Sequence, residues 1–409
     1  MRAYASLAFS FLLTTSALYA DTETPVSTPR LLDTSGAPST PIAINNFGHV
    51  AGWHVAEDGD HYHAFVWMPR SGMVDIGTLG GDSSLAADIN DLDQVIGWAT
   101  TADGTMHAFL WTRAHGMRDL GPYGTFSPHA INNLGIIAGS LSGQAALRMP
   151  DGTFVPLGTL GGSASVALDV NDRGEVVGSS TFSDAPFSGI HPFYWSHETG
   201  MIDLHEPGTS GGAASRINNR SEVVGYLAPD LSFQSYVFTW TKDGGTINIG
   251  GYPGGFITGT DYGNVFGVNG IGQVVATSTF PGDEITRQLL WSGGAGPFVV
   301  AEDGIPDYSH MGINDVGEIA GATREPLSPA TAAVWMTILT REQQVDSMRA
   351  LVEDLVLRHA LRQQDAEVLI RRADRDASFE RKVAALVRSG RLAGRDAFLL
   401  VRAIELHAR

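Results

Sequence analysis

Cysteine is absent from the 409-residue chain. Disulfides, thiolate metal sites, cysteine nucleophiles and a lipoprotein anchor are excluded together. Positive charge is scarce: 26 Lys and Arg face 44 Asp and Glu, for a net charge of −18. The deficit is uneven, because residues 341–409 hold 14 basic and 11 acidic residues, leaving 12 and 33 (net −21) for residues 1–340. A body this acidic repels nucleic acid and polyanionic glycans. There is no H-E-x-x-H, no G-x-S-x-G and no EF-hand loop. The recurring G-T-L-G-G lacks the Lys-Ser/Thr and the following helix of a phosphate loop. Nothing in the composition or motifs implies a cofactor.

Residues 1–20 read as a secretory signal, with Arg2 ahead of the apolar stretch LAFSFLLTTSAL and a cleavage point after Ala20 or Ala17. The stretch is short for a membrane span, and no other run approaches the ~18 apolar residues one needs. The mature chain is therefore expected outside the cytoplasm, in the periplasm or beyond the cell, with no span.

With 49 Gly and 19 Pro, the remainder is turn-rich. One phrase recurs seven times: INNFGHVAG, INDLDQVIG, INNLGIIAG, VNDRGEVVG, INNRSEVVG, VNGIGQVVA and INDVGEIAG, starting at residues 44, 89, 131, 170, 217, 268 and 313. A period of 39–51 residues with several strands per unit marks a radial β-repeat. In the second unit strand A is 85–90, B 94–100, C 107–112 and D 117–120. The N-[ND]-x-G step between A and B predicts a tight turn whose fourth residue is left-handed. Its Asn is expected to bond the backbone two residues on. Strand C carries HAFVW (63–67), HAFLW (107–111) and HPFYW (191–195), with Trp in the same slot of three further units. Alternate residues face opposite sides, and both sides are apolar, so each sheet is sandwiched between neighbours.

The ends fix the closure. The seventh unit has strands A to C but passes from VWMTILT (334–340) into helix, whereas TPRLLDTSG (28–36) resembles a strand D without its unit. Joining them completes one blade and removes the sheet edges. The expected fold is a mainly β chain: a seven-bladed propeller over residues 28–340, closed by its N-terminal strand. A small all-α domain of about four helices follows over 341–409. There, 352–373 and 383–404 align without gaps at an offset of 31, as two α-hairpins with Asp365 and Asp396 as first-turn acids.

Strand A is expected to be innermost, with mostly small residues just before its Ile or Val. The exceptions, Asp88, Asp169 and Arg216, are the candidate ligand-binding residues of a central channel. No catalytic residue and no metal ligand set is assigned. The cluster EDGDHYH (57–63) places Asp and His on alternate positions, as a metal site would, but occurs once and reads as an exposed acidic loop. His63, His107 and His191 read as core histidines donating to backbone carbonyls, with ligand contact on one propeller face as the alternative.

H-A-F-x-W followed by G-M-x-D-L-G-T-L-G-G and I-N-D-x-G-x-V-V-G resembles the HAF-repeat family of bacterial extracellular proteins, over roughly residues 29–340. The resemblance implies a secreted repeat protein and carries over no catalytic residue. Ala145, Tyr236, Arg287 and Thr331 replace the motif His in four units. The stretch 379–392 resembles FIMAH-type helical modules. Two functions follow as expectations. One is a non-catalytic interaction or scaffold protein for an extracellular protein or neutral glycan, with the helices available to a partner protein. The alternative is an extracellular glycan lyase or glycosidase working in the channel, which needs two carboxylates about 5–10 Å apart.

Overall fold

The computed structural model describes residues 26–32, 38–183, 189–228, 235–250, 265–279, 286–292, 295–303, 312–323, 331–371 and 376–407. Residues 1–20, expected from the sequence to be a secretory signal, lie outside them. The described strands form seven four-stranded antiparallel sheets, each built in the order A-B-C-D. Blade 2 is typical: Gly80–Ile89, Val95–Thr101, Met106–Thr112 and Gly116–Pro122. In blade 7 the D position is filled by Arg30–Leu31, antiparallel to Thr331–Met336 with Arg30 opposite Val334. The ring is therefore closed by the N-terminal strand. Four helices follow: α1 (Arg341–Leu357), α2 (Gln363–Ile370), α3 (Asp376–Arg388) and α4 (Gly394–His407). Asp365 and Asp396 do stand in the first turns of α2 and α4. No described helix is long and apolar enough to cross a membrane.

The repeated phrase makes every A–B turn. Its fourth residue is left-handed throughout, from Gly48 at φ 70° to Gly317 at φ 80°, and Asp93 (57°) and Ser221 (62°) adopt the same conformation. Blades pack through both faces. Ala64 and Val66 of blade 1 share a cluster with Phe109 and Trp111 of blade 2, whose Ile96 and Leu110 pack on Phe126 and Ile137 of blade 3.

Strand A carries a bulge two residues before the phrase, at Ile42, Ala87, His129, Leu168, Ser215 and Phe266. The bulge brings a strand A carbonyl toward strand B, where five of these six blades carry glycine. A Cβ on Gly178 would lie 1.9 Å from the Val166 oxygen and 2.9 Å from the Phe193 ring. Gly52, Gly97, Gly139 and Gly225 are similarly placed, each with its Cβ position within 2.2 Å of a strand A carbonyl. Gly178→Ala is expected to lower stability by about 2–3 kcal/mol, read from urea unfolding midpoints. An unchanged midpoint would show that the bulge relaxes freely. In blade 6 Ala276 fills this slot, and its strand C neighbour Leu289 stands where Phe65, Phe109, Phe193 and Phe238 stand in other blades.

Candidate functional site

The axis of the propeller is built from the turn phrase in two layers. In each copy the first Asn accepts from its own turn. Asn132 Oδ1, for example, takes Leu134 N–H at 3.0 Å and Ile136 N–H at 2.9 Å. Its Nδ2 then donates to the carbonyl of the corresponding Asn in the next blade, Asn171, at 2.9 Å. The pattern runs Asn45 to Asn90, Asn132, Asn171, Asn218, Asn269, Asn314 and back to Asn45, at 2.9–3.1 Å throughout. Seven buried side chains thus form one closed circuit.

The second turn residue adds a parallel circuit. Asn46 N–H donates to Asp91, Asp91 N–H to Asn133, Asn133 N–H to Asp172 and Asp172 N–H to Asn219. Gly270 N–H donates to Asp315 and Asp315 N–H to Asn46. The missing link is at Gly270, which has no side chain to offer Asn219. Helix α1 enters there. A Cβ on Gly270 would meet Ala350 Cβ at 2.7 Å, and Asp354 accepts from Asn219 Nδ2 at 2.7 Å.

The helical domain therefore sits on the A–B turn face and closes that end of the axis. Phe47 and Val316, the third residues of two turns, are buried in its core with Leu351, Leu355 and Leu400. Arg402 chelates Glu318 at 2.6 and 2.7 Å and donates to the Asn46 carbonyl at 2.7 Å. Arg395 reaches the Asp91 carbonyl and pairs with Asp93 at 3.2 Å. Beneath the cap lies a cavity of about 180 Å³ that includes Asp91, Asp172, Asp315 and Asp354 in its lining. Arg358 approaches Asp91 at 3.5 Å, and its Nε and Nη2 are buried without a hydrogen-bond partner. Burial pushes the Asp354 carboxyl well above its ordinary range, with repulsion from Asp315 and Asp172 adding to it. Asp315 and Asp172 are raised as well, chiefly by burial.

Farther along the axis, Asp88, Asp169 and Arg216 line one cavity of about 160 Å³ together with His129. The three residues singled out by the sequence do meet. Their polar atoms, however, staple blades. Asp88 accepts the N–H of Ile89 and of Ile131 in the next blade, both at 2.8 Å. Asp169 accepts Val170 N–H at 2.8 Å and Ile217 N–H at 2.9 Å, again one blade on. Arg216 donates to Phe266 O at 3.1 Å and Ser215 O at 2.8 Å. Burial, with Asp169 nearby, pushes Asp88 up to about 7 against the pull of backbone N–H groups and Arg216. Burial also raises Asp169, and burial with Arg216 depresses His129 to about 4.

These shifts set a pH dependence. A carboxyl with a raised folded-state pKa holds a proton that the unfolded chain has released, so stability falls as pH rises, for Asp88 between about 4 and 7. Asp169, Asp172, Asp315 and Asp354 act in the same direction. His129 opposes them between about 4 and 6.5, where only the unfolded chain gains its proton. Five carboxyls outweigh one imidazole, so the urea midpoint is expected to be higher at pH 5 than at pH 8. His129→Gln should widen that gap. A midpoint that rises from pH 5 to pH 8 would contradict the assignment.

The HAF histidines do not bond carbonyls. His63 Nδ1 pairs with Asp75 at 2.7 Å, His107 with Asp119 at 2.8 Å and His191 with Asp203 at 2.9 Å. Each partner lies twelve residues on, in strand D, diagonal to the histidine across the antiparallel C–D pair, where Asp75, Asp119 and Asp203 stand opposite Phe65, Phe109 and Phe193. These pairs lie on the face opposite the helical cap. There Phe182 stacks on His191 at 5.1 Å and His191 on His205 at 4.0 Å. In the loop 57–63, Asp58 accepts from His61 at 2.6 Å, and His61 reaches Asp82 at 3.3 Å. Among the described residues no group of three or more His, Asp or Glu is arranged to hold a metal.

Sequence reasoning missed three things. The forward bond of each Asn joins a side chain to a backbone carbonyl 39–51 residues away in six cases and 269 in the closing one, and side-chain identity carries no trace of it. His129 escaped because the bulge turns the preceding position, as well as the usual one, toward the channel. The His–Asp pairs did leave a signal: blades 3 and 5, which lack the His, carry Pro156 and Asn248 where the Asp would stand, opposite Ala146 and Phe238 of strand C.

The architecture is that of a closed propeller with a helical cap. No family model and no curated protein matches the chain. Solved propellers do. The β-propeller domain of the Trilobed protease from Pyrococcus furiosus, described as having an open velcro topology, superposes with a TM-score of 0.50 at 10% identity, covering 73% of this chain and 95% of that one. Pyrococcus horikoshii acylaminoacyl peptidase gives 0.49 at 11% identity, covering 74% of this chain and only 52% of that protein. The Aleuria aurantia lectin gives 0.34 at 12% identity, covering 74% of this chain and 93% of the lectin. At these identities the likeness shows the fold and nothing of an activity.

Proposed function

We propose that the protein is a secreted, non-catalytic interaction protein of the HAF-repeat type, taking a neutral glycan or an extracellular protein on the face opposite its helical cap. One observation carries this. The cap covers the A–B turn face and closes the axis, while the opposite face presents Tyr62, Met106, Tyr123, Phe182 and Ile190, each about half exposed. Between blades 3 and 4 that face holds a cleft of about 310 Å³, lined by Tyr123, Ile190 and the hydroxyls of Ser127, Ser140, Ser179 and Thr181 among others. Hydroxyls beside exposed rings suit a neutral polyol better than a charged ligand.

The channel supports the alternative, a glycan lyase or glycosidase, less well. Asp88 and Asp169 are tied to backbone N–H groups, and about 160 Å³ is below the ~300–1,000 Å³ of small-molecule sites. Asp88, Asp169 and Arg216 fit a small polar guest or water there. A screen of the mature protein on neutral glycans, with a parallel extracellular pull-down, tests the proposal. Tyr123→Ala should weaken the bound ligand at least about tenfold, the size of losing a stacking contact at a site. Binding that survives Tyr123→Ala but is lost in Asp88→Ala would move the site into the channel.

A further inference from the structure

We propose that the cleft between the helical cap and the first two blades is a second binding site, for a small amphipathic carboxylate with an apolar aliphatic or aromatic body. The cleft encloses about 590 Å³, larger than either axial cavity and within the range of small-molecule sites. Its walls come from both domains. The strand C ends and C–D turns of blades 1 and 2 contribute Met68, Pro69, Arg70, Ser71 and Arg113, and α4 contributes Arg395, Phe398, Arg402 and Leu406.

The apolar part is set by Phe47, Met68, Phe398 and Leu406. Phe398 is half exposed, an unusual position for a phenylalanine, and its ring lies parallel to that of Phe47 (3° apart, centroids 6.3 Å). Thioether and aromatic walls of this kind adapt to an alkyl chain or a ring.

The polar part is set by charge accounting. Arg402 is committed to Glu318, while Arg395 and His49 share Asp93. Among the described residues Arg70 has no ion-pair or hydrogen-bond partner, and the guanidinium of Arg113 has only the Met68 sulfur, at 3.4 Å. Two guanidiniums thus stand without an anion in a body that holds 12 basic residues against 33 acidic ones. The planar fork of Arg matches a carboxylate with two parallel hydrogen bonds, which a neutral ligand cannot offer. The dense acidity of the surrounding body selects against long polyanions and leaves room for a single compact anionic head.

The site is separate from the polyol cleft on the opposite face, so its failure would leave that proposal untouched. Calorimetric titration of the full mature chain with decanoate and with 4-phenylbutyrate, against decanol and 4-phenylbutanol as neutral matches, tests it. The acids should bind saturably and at least tenfold more tightly than the alcohols. The exposed double substitution R70A/R113A should erase that preference, with its thermal unfolding midpoint unchanged as the folding control, and R70K/R113K should restore part of it. Saturable binding also raises the unfolding temperature of the wild type, a second readout independent of heat. Absence of saturable binding by either acid, or equal affinity for acid and alcohol, or an acid preference surviving R70A/R113A, would overturn the proposal.

Discussion

Arg402→Met is expected to loosen the helical cap and cost about 3–5 kcal/mol, the range for stripping one partner from a buried ion pair. The pair is among the least exposed in the protein, with side-chain exposures of 10% for Arg402 and 4% for Glu318. Removing the guanidinium leaves Glu318 with Asn314 Nδ2 at 2.9 Å as its remaining side-chain donor. It also strips the Asn46 carbonyl of its Arg402 bond. Limited proteolysis should then cut the segment between Met336 and Arg341 at least about tenfold faster, because a loss of 1.4 kcal/mol already shifts a local opening equilibrium tenfold. Glu318→Gln in the same chain should recover part of the loss by removing the stranded charge. If R402M resists protease like the wild type, the cap is held by its apolar contacts alone.

Asn132→Ala is the second large effect, expected at about 2–4 kcal/mol from one buried and two part-buried groups left unpaired at ~1–3 kcal/mol each, with incomplete additivity. The groups are the Leu134 and Ile136 N–H and the Asn171 carbonyl. Leu134→Ala, two residues away on an exposed side chain, should cost below about 0.5–1 kcal/mol and serves as the matched surface control. Denaturant titration of both variants checks the difference. Similar midpoints would mean that water replaces the asparagine in the ring.

Much of the architecture was legible because it rests on repetition. A strand of period two, a turn with a left-handed residue and a Trp in one slot appear many times in one chain, so accident averages out. The split seventh blade was legible for the same reason, since a missing strand stands out against six complete copies. The four helices were legible from their three-to-four spacing and their internal offset. What repetition could not disclose was where the helices sit. Docking depends on single exceptions: Gly270 where other turns carry Asn or Asp, Arg402 opposite Glu318, and Phe47 and Val316 at positions that elsewhere hold Leu92 or Arg173. Asp88, Asp169 and Arg216 line one cavity, but their backbone partners were not foreseeable, because the bulged strand A positions, from Ile42 and Ala87 to His129 and Ser215, share no residue type.

The asparagine circuit has a consequence for blade number. Each blade brings one donor and one acceptor and passes its bond forward in the same rotational sense, as in a head-to-tail assembly whose rotation closes. Such a link is the same whether six, seven or eight members stand in the circle. The circuit therefore cannot count. The number seven must come from the wedge angle between neighbouring sheets, that is, from the bulk of the Phe and Trp side chains between them and the glycines that thin each blade toward the axis. Genetic addition or loss of one whole repeat could therefore leave an unbroken asparagine circuit, and would be resisted by packing and by the cap's contacts with particular blades.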